Sequence, residues 1–123
     1  MARKIRWTAH ASLLLDEVGQ YLFQKSPAGA ATVVEALLDA AESLALFPER
    51  GRVVPELKDP DCRELLVRDY RLVYRVNVDY VLIVALVHGS RDFRSWWRPS
   101  LAARLIQPAI LPLPDKSILM SVT

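Results

Sequence analysis

At 123 residues and 13.9 kDa, with 52% apolar and 24% charged residues and a formal net charge of +2, the chain has the balance of a soluble globular protein with room for one core. Its longest apolar run, Tyr80 to Val87, is far short of a membrane span, and Arg3 and Lys4 lead into an amphipathic pattern with no signal-peptide core. The single cysteine, Cys62, excludes an internal disulfide, fits a cytoplasmic location and has no Cys or His nearby to share a metal, so neither metal nor cofactor is expected.

Ile5-Arg6-Trp7 reads as a short strand, closed by Thr8 as a helix N-cap. From Ala9 on, Leu13, Leu14, Val18, Tyr21 and Leu22 recur at spacings of three and four. This predicts a helix that buries that stripe and turns Asp16, Glu17 and Gln20 to water. Ser26-Pro27 restarts the chain, with serine as N-cap and proline at the first helical position, where its missing N–H costs nothing. The second predicted helix carries Val33, Val34, Leu37, Leu38, Ala41, Leu44 and Ala45 as one stripe, and Phe47-Pro48 stops it. So short a break predicts an antiparallel helical hairpin.

Pro48 to Pro60, with three prolines and a glycine, reads as a loop holding at most a short extended stretch. The period then changes to two. Arg63–Arg68 and Tyr70–Val76 are predicted strands, the second with Leu72, Tyr74 and Val76 on one face and Arg71, Val73 and Arg75 on the other. Asn77-Val78-Asp79 supplies a tight turn, so Tyr80–Val87, apolar on both faces, is expected to pair antiparallel with the strand before it. From Arg94 to Thr123 the character changes. Trp96, Trp97 and Pro99 precede a possible short helix, Leu101–Ile106, and Pro108, Pro112 and Pro114 interrupt the rest, to which no role is assigned.

The predicted class is α+β: a strand, a two-helix hairpin, then a three-stranded antiparallel meander, with both helices on one face of the sheet. They cover Leu72, Tyr74 and Val76. The second apolar face of Tyr80–Val87 then needs cover from the tail, a second copy or a partner chain. Charge is uneven as well. Residues 1–49 hold four basic and six acidic groups, net −2, whereas residues 50–104 hold eleven and seven, net +4. Ten of the eleven are arginines, which suit an acidic partner, nucleic acid or protein, as well as a solvated mixed-charge surface.

The joints between these elements resemble those of the RelE/ParE superfamily, the toxins of type II toxin–antitoxin systems. The matching residues are Trp7-Thr8, Ser26-Pro27, Phe47-Pro48-Glu49-Arg50-Gly51-Arg52, Arg63-Glu64-Leu65, Tyr70-Arg71-Leu72-Val73-Tyr74-Arg75-Val76 and His88-Gly89-Ser90-Arg91-Asp92-Phe93. The resemblance implies a toxin domain over residues 1–93 and an extension over 94–123. It also implies neutralisation by a cognate antitoxin, ParD-like and of the ribbon–helix–helix type, whose C-terminal part wraps the toxin. One branch of the superfamily cleaves messenger RNA on the ribosome. The ParE-like branch, which the Gly51-Arg52 loop and the His-Gly-x-Arg-Asp ending resemble more, poisons DNA gyrase and is known for plasmid stabilization.

An RNA-cleaving toxin needs a general base, an acid and cations at the phosphate. Glu56 as base, Arg71 and Arg75 as phosphate clamps and His88 as acid are the candidates. Each has a plainer reading: Arg71 pairing with an acid such as Glu64, His88 as a hydrogen-bonded corner, Glu56 as a solvated loop residue. The residue after the histidine is Gly89, where RNA-cleaving relatives commonly place a tyrosine or other functional residue, and Lys58 is the lone lysine of the region. Binding is therefore the preferred activity, with an endoribonuclease or a non-toxic homologue that keeps antitoxin binding as alternatives. Arg63, Arg71, Val73, Arg75 and Arg91 are the expected partner-binding residues, around a groove on the second face of Tyr80–Val87.

Overall fold

The computed structural model describes residues 2–90, and within them five strands and two helices form one sheet with a helical layer. In chain order these are β1 (Lys4–Trp7), α1 (Ala9–Lys25), α2 (Pro27–Ser43), β2 (Arg52–Val53), β3 (Cys62–Val67), β4 (Tyr70–Val76) and β5 (Tyr80–His88). The sheet order is β1-β5-β4-β3-β2. The expected meander is present as β3, β4 and β5, each antiparallel to the next. Two pairings extend it. β1 lies parallel to β5 at one edge, and β2, the extended stretch inside the loop, pairs with β3 at the other. A strand apolar on both faces sits between two neighbours, which is why β5 is interior.

Both helix starts follow the sequence. The Thr8 hydroxyl accepts from Ala11 N–H at 3.0 Å. Ser26 serves both helices: its N–H donates to Leu22 O at 2.9 Å, and its hydroxyl accepts from Gly29 N–H at 3.1 Å. Such caps each stabilise a helix by about 1 kcal/mol. α2 buries the predicted stripe through Val34, Leu37, Leu38 and Ala41, with Leu44 just beyond its end. α1 does not. Leu13 is 61% and Tyr21 55% exposed, while Ala11 and Leu15 are fully buried, with Leu14 and Val18 packed beside them. The Thr8 cap is itself tied to β5, Thr8 N–H donating to Ile83 O at 3.0 Å, and this fixes the rotational phase of α1 so that small Ala11 meets the sheet.

The helix-side core joins Trp7, Leu15, Leu37, Leu44, Leu72, Tyr74, Val81, Ile83 and Leu86. A second cluster of Val54, Cys62, Val73, Leu82, Val84, Ala85 and Val87 fills the opposite face. A bulge divides β5: Val73 pairs with Ala85 but Tyr74 with Ile83, so Val84 is the extra residue and sits with Ala85 on the second face. The expectation of an open apolar groove there is corrected by burial. Val73, Leu82, Val84, Ala85 and Val87 are all buried, and Val54 and Leu57 of the β2–β3 loop pack with them.

Arg68 and Asp69 form a two-residue turn between β3 and β4, with Val67 paired to Tyr70. Arg68 has φ of 56°, in the left-handed region where a side chain costs roughly 1–2 kcal/mol relative to glycine.

Candidate functional site

The second face of the sheet carries a chain of ion pairs laid over the apolar cluster. Strand alternation brings Arg52, Glu64 and Val73 into one row, Arg52 opposite Glu64 and Glu64 opposite Val73. Glu64 is fully buried. Arg52 donates to its Oε2 from Nε at 2.8 Å and from Nη2 at 2.7 Å, and Arg71 donates to its Oε1 from Nε at 2.8 Å and again from Nη2. The other side of the Arg71 fork is taken by Glu56, with Nη1 to Oε2 at 3.0 Å and Nη2 to Oε1 at 2.7 Å. These carboxylates, Glu56 first, raise the Arg71 pKa above its ordinary value against the effect of burial, so the guanidinium is permanently charged. Arg52–Glu64–Arg71–Glu56 is thus a relay of alternating charge, from half-exposed Arg52 to loop residue Glu56.

Arg75 projects from the same face but takes a different acid. Its Nη1 donates to Asp59 Oδ2 at 2.9 Å. Asp59 also accepts from Asp61 N–H at 3.0 Å, and these two contacts, the backbone one first, hold its carboxyl below the usual range. Arg63 is on the helix-side face, opposite Tyr74, where it donates to Gly51 O at 2.9 Å. The buried Tyr74 hydroxyl donates to Pro48 O at 2.8 Å and accepts from Gly51 N–H at 2.9 Å, which fastens the loop after α2 to the sheet.

At the end of β5, His88 is exposed and stacks edge-on against Tyr70, with ring centroids 5.3 Å apart. Its Nδ1 accepts from Ser90 N–H at 3.2 Å and lies 2.7 Å from Ser90 Oγ. In the neutral ring this places the proton on Nε2. Gly89 N–H donates to Asp69 O at 2.7 Å, joining this end of β5 to the β3–β4 turn. Between them lies a pocket of about 410 Å³ lined by Arg52, Leu66, Arg68, Asp69, Tyr70, Arg71, His88, Gly89 and Ser90.

Of the residues proposed for RNA chemistry, the fold brings Arg71 to Glu56 and places Arg71 and His88 on one pocket, but it sends Arg75 to Asp59. Of the partner-binding set, Val73 is buried, Arg63 lies on the other face from Arg71 and Arg75, and Arg91 falls outside the described residues, as does the extension over 94–123. Arg52, Asp59, Arg68 and Ser90 are not among the site residues expected from the sequence, though Arg52 and Ser90 lie in the joint motifs. Asp59-Pro60-Asp61 was the readable signal for one of them, since aspartate two residues before a free N–H commonly forms such a turn. Among the described residues no group of His, Cys, Asp and Glu could hold a metal ion, and no helix is long and apolar enough to cross a membrane.

Two helices on one face of a five-stranded, mostly antiparallel sheet is a fold shared with solved ParE and RelE structures. The solved structures that the chain resembles include a chromosomal ParDE system of P. aeruginosa, at TM-score 0.59 and 20% identity, covering 71% of this chain and 96% of that one. An Escherichia coli RelE variant in the free state gives TM-score 0.57 at 19% identity, over 86% and 96% of the two chains. Among sequences, Y4kP of Sinorhizobium fredii, a toxin by name, is 36% identical over 96 residues, 76% of this chain and 96% of that protein. Toxin RelE2 of Caulobacter vibrioides is 37% identical over 89 residues, 72% of this chain and 97% of that protein. Residues 5–93 match the ParE toxin family of the type II toxin–antitoxin system parDE, and the chain belongs to that family.

Proposed function

We propose that this toxin acts by binding, with DNA gyrase as its target and a ParD-like antitoxin as its neutralising partner in the cytoplasm. Residues 1–93 are its toxin domain in this reading, and residues 94–123 an extension. The observation that carries it is the state of Arg71. Cleavage of RNA requires a cation presented to the phosphate and a base presented to a ribose hydroxyl. Here all three nitrogens of the Arg71 guanidinium donate to Glu56 and Glu64, and both Glu56 oxygens accept from Arg71. The clamp and the base are spent on one another, and Arg75 is spent on Asp59. Arg63 and Arg91 remain proposed basic contacts for the antitoxin, whereas Arg71 and Arg75, paired with Glu56 and Asp59, fasten the 54–61 loop over the apolar cluster in place of an open trough.

The test is a DNA supercoiling reaction with purified gyrase and the purified chain, beside primer-extension mapping of transcripts after induction in cells. Loss of supercoiling with accumulation of cleaved DNA, and intact messages, is the expected result. Codon-positioned cuts in messages with gyrase unaffected would overturn the reading in favour of a ribosome-dependent endoribonuclease. Growth unaffected by induction, with antitoxin binding retained, would mark a non-toxic homologue.

A further inference from the structure

The geometry points to the pocket at the β3–β4 turn as a carboxylate-binding site, made by Arg68, Arg52 and His88, that receives one acidic side chain from an acidic and apolar segment of a protein partner. The proposal rests on the reading of this chain as a partner-binding protein and gives that reading a place and a chemistry.

Three observations converge. Arg68 occupies the left-handed position of a two-residue turn, a place that favours glycine, yet carries a long cationic side chain that lines the pocket. Backbone strain kept at a turn is a pointer to use. Among the described residues Arg68 makes no hydrogen bond or ion pair, and Arg52 uses only Nε and Nη2 on Glu64, with its side chain 60% exposed. His88 uses Nδ1 on Ser90, which leaves Nε2–H as the donor. The pocket is therefore lined by two guanidiniums and an imidazole with N–H groups to donate, in a hollow large enough for a side chain.

The balance of charge decides which anion fits. Among the described residues, three guanidiniums, Arg52, Arg68 and Arg71, stand in or under the pocket against three carboxylates, Glu56, Glu64 and Asp69. A nucleic-acid strand binds through net positive charge and counterion release, and this neutral setting supplies little of either. A single carboxylate needs only the short-range donors. Beside them Leu66 is 64% exposed and Tyr70 forms a wall, apolar surface suited to a neighbouring aliphatic residue on the same segment.

The test titrates the purified whole chain at low salt with N-acetyl-Leu-Glu-Leu-amide, whose one charge is the glutamate, while the His88 ring is followed by NMR. Inorganic phosphate and a short oligoribonucleotide are the comparison ligands. A saturable shift of His88 in the millimolar range is expected. Arg68→Gly should weaken it by about three- to fivefold, as suits one exposed charge pair, and Arg68→Lys should restore much of it. Because glycine suits the turn, R68G should melt several degrees higher than the parent, so a loss of binding cannot come from unfolding. Equal peptide binding by the parent and R68G overturns the proposal. So does an Arg68-dependent response to phosphate or the oligonucleotide stronger than that to the peptide. Either result leaves the gyrase assay untouched, so failure of the pocket and failure of the proposed target are read separately.

Discussion

Gly51 is the position at which one added methyl group should do the most damage. A Cβ built there would lie 2.4 Å from Glu64 O, 2.6 Å from the Tyr74 hydroxyl and 2.9 Å from Glu64 C. Two of those atoms belong to β3 backbone, and the third is held in place by Pro48 O and Gly51 N–H. None is a free side-chain end that can swing away. β2 would have to move from β3 by about 1 Å, and the hydrogen bonds Gly51–Tyr74 and Arg63–Gly51 would stretch with it. Overpacking costs about 1–3 kcal/mol and each lost hydrogen bond about 1 kcal/mol. A total on the order of 3 kcal/mol is a large share of a small domain's stability, and corresponds to roughly 12–24 °C in Tm. Denaturant and thermal unfolding of Gly51→Ala against the parent measure it directly. Gly19→Ala is the internal control: its Cβ meets only Val34 Cγ2 at 3.4 Å, in the middle of α1, so a gain of roughly 0.5–1 kcal/mol is expected. If both alanines leave stability within about 0.5 kcal/mol of the parent, close approach of the loop to β3 is not what demands glycine at position 51.

Glu64→Ala would take from the buried Arg71 guanidinium one of its acids and leave Arg52 without its own, a loss of about 3–5 kcal/mol in denaturant unfolding; a loss below 1 kcal/mol would show the relay to be slack. Asp59 has its pKa lowered in the folded chain, so its contribution to stability is present above the ordinary value of 3.8 and is lost as pH falls through the lowered one. Arg75→Gln should move the Asp59 pKa part of the way back up, seen by carboxyl NMR, with the Asp61 N–H holding the remainder. Burial pushes the Cys62 thiol up to about 12, so alkylation at pH 8 should be negligible in the folded protein and prompt after unfolding.

The parts of this fold visible in the sequence are those governed by local rules. Thr8 and Ser26 cap helices whatever the tertiary context, and Ser26-Pro27 marks the corner between helices because proline at a first helical position restricts the chain there. The α2 stripe was legible because its apolar residues recur without ambiguity. The α1 stripe was misread because Leu13, Leu14, Ala11 and Leu15 offer more than one helical face, and the choice is made by the Thr8 cap on β5, a contact between residues 75 positions apart. The pairing of β1 with β5 and the bulge at Val84 are likewise products of long-range register, for which no neighbouring residue gives a sign.

The arginines show the same division more sharply. Alternation correctly placed Arg71 and Arg75 on one face, away from the helices, and from there a phosphate clamp was a reasonable construction. What alternation does not supply is the path of the 54–61 loop. That loop delivers Glu56 to Arg71 and Asp59 to Arg75, while strand register delivers Glu64 to Arg71 from beneath. Each guanidinium meets a carboxylate of its own, and so two residues that would grip a ligand together become struts that fasten a loop across the second apolar cluster. Arg68 and the exposed half of Arg52 escape this neutralisation because the loop's carboxylates Glu56 and Asp59 are taken by Arg71 and Arg75. Among the described residues of this face, the charge still available to a partner is therefore at the end of the sheet, beside His88, and not at its centre. A partner segment that reaches only the centre would meet paired charges and buried valines, whereas one that extends to the turn would find donors without acceptors.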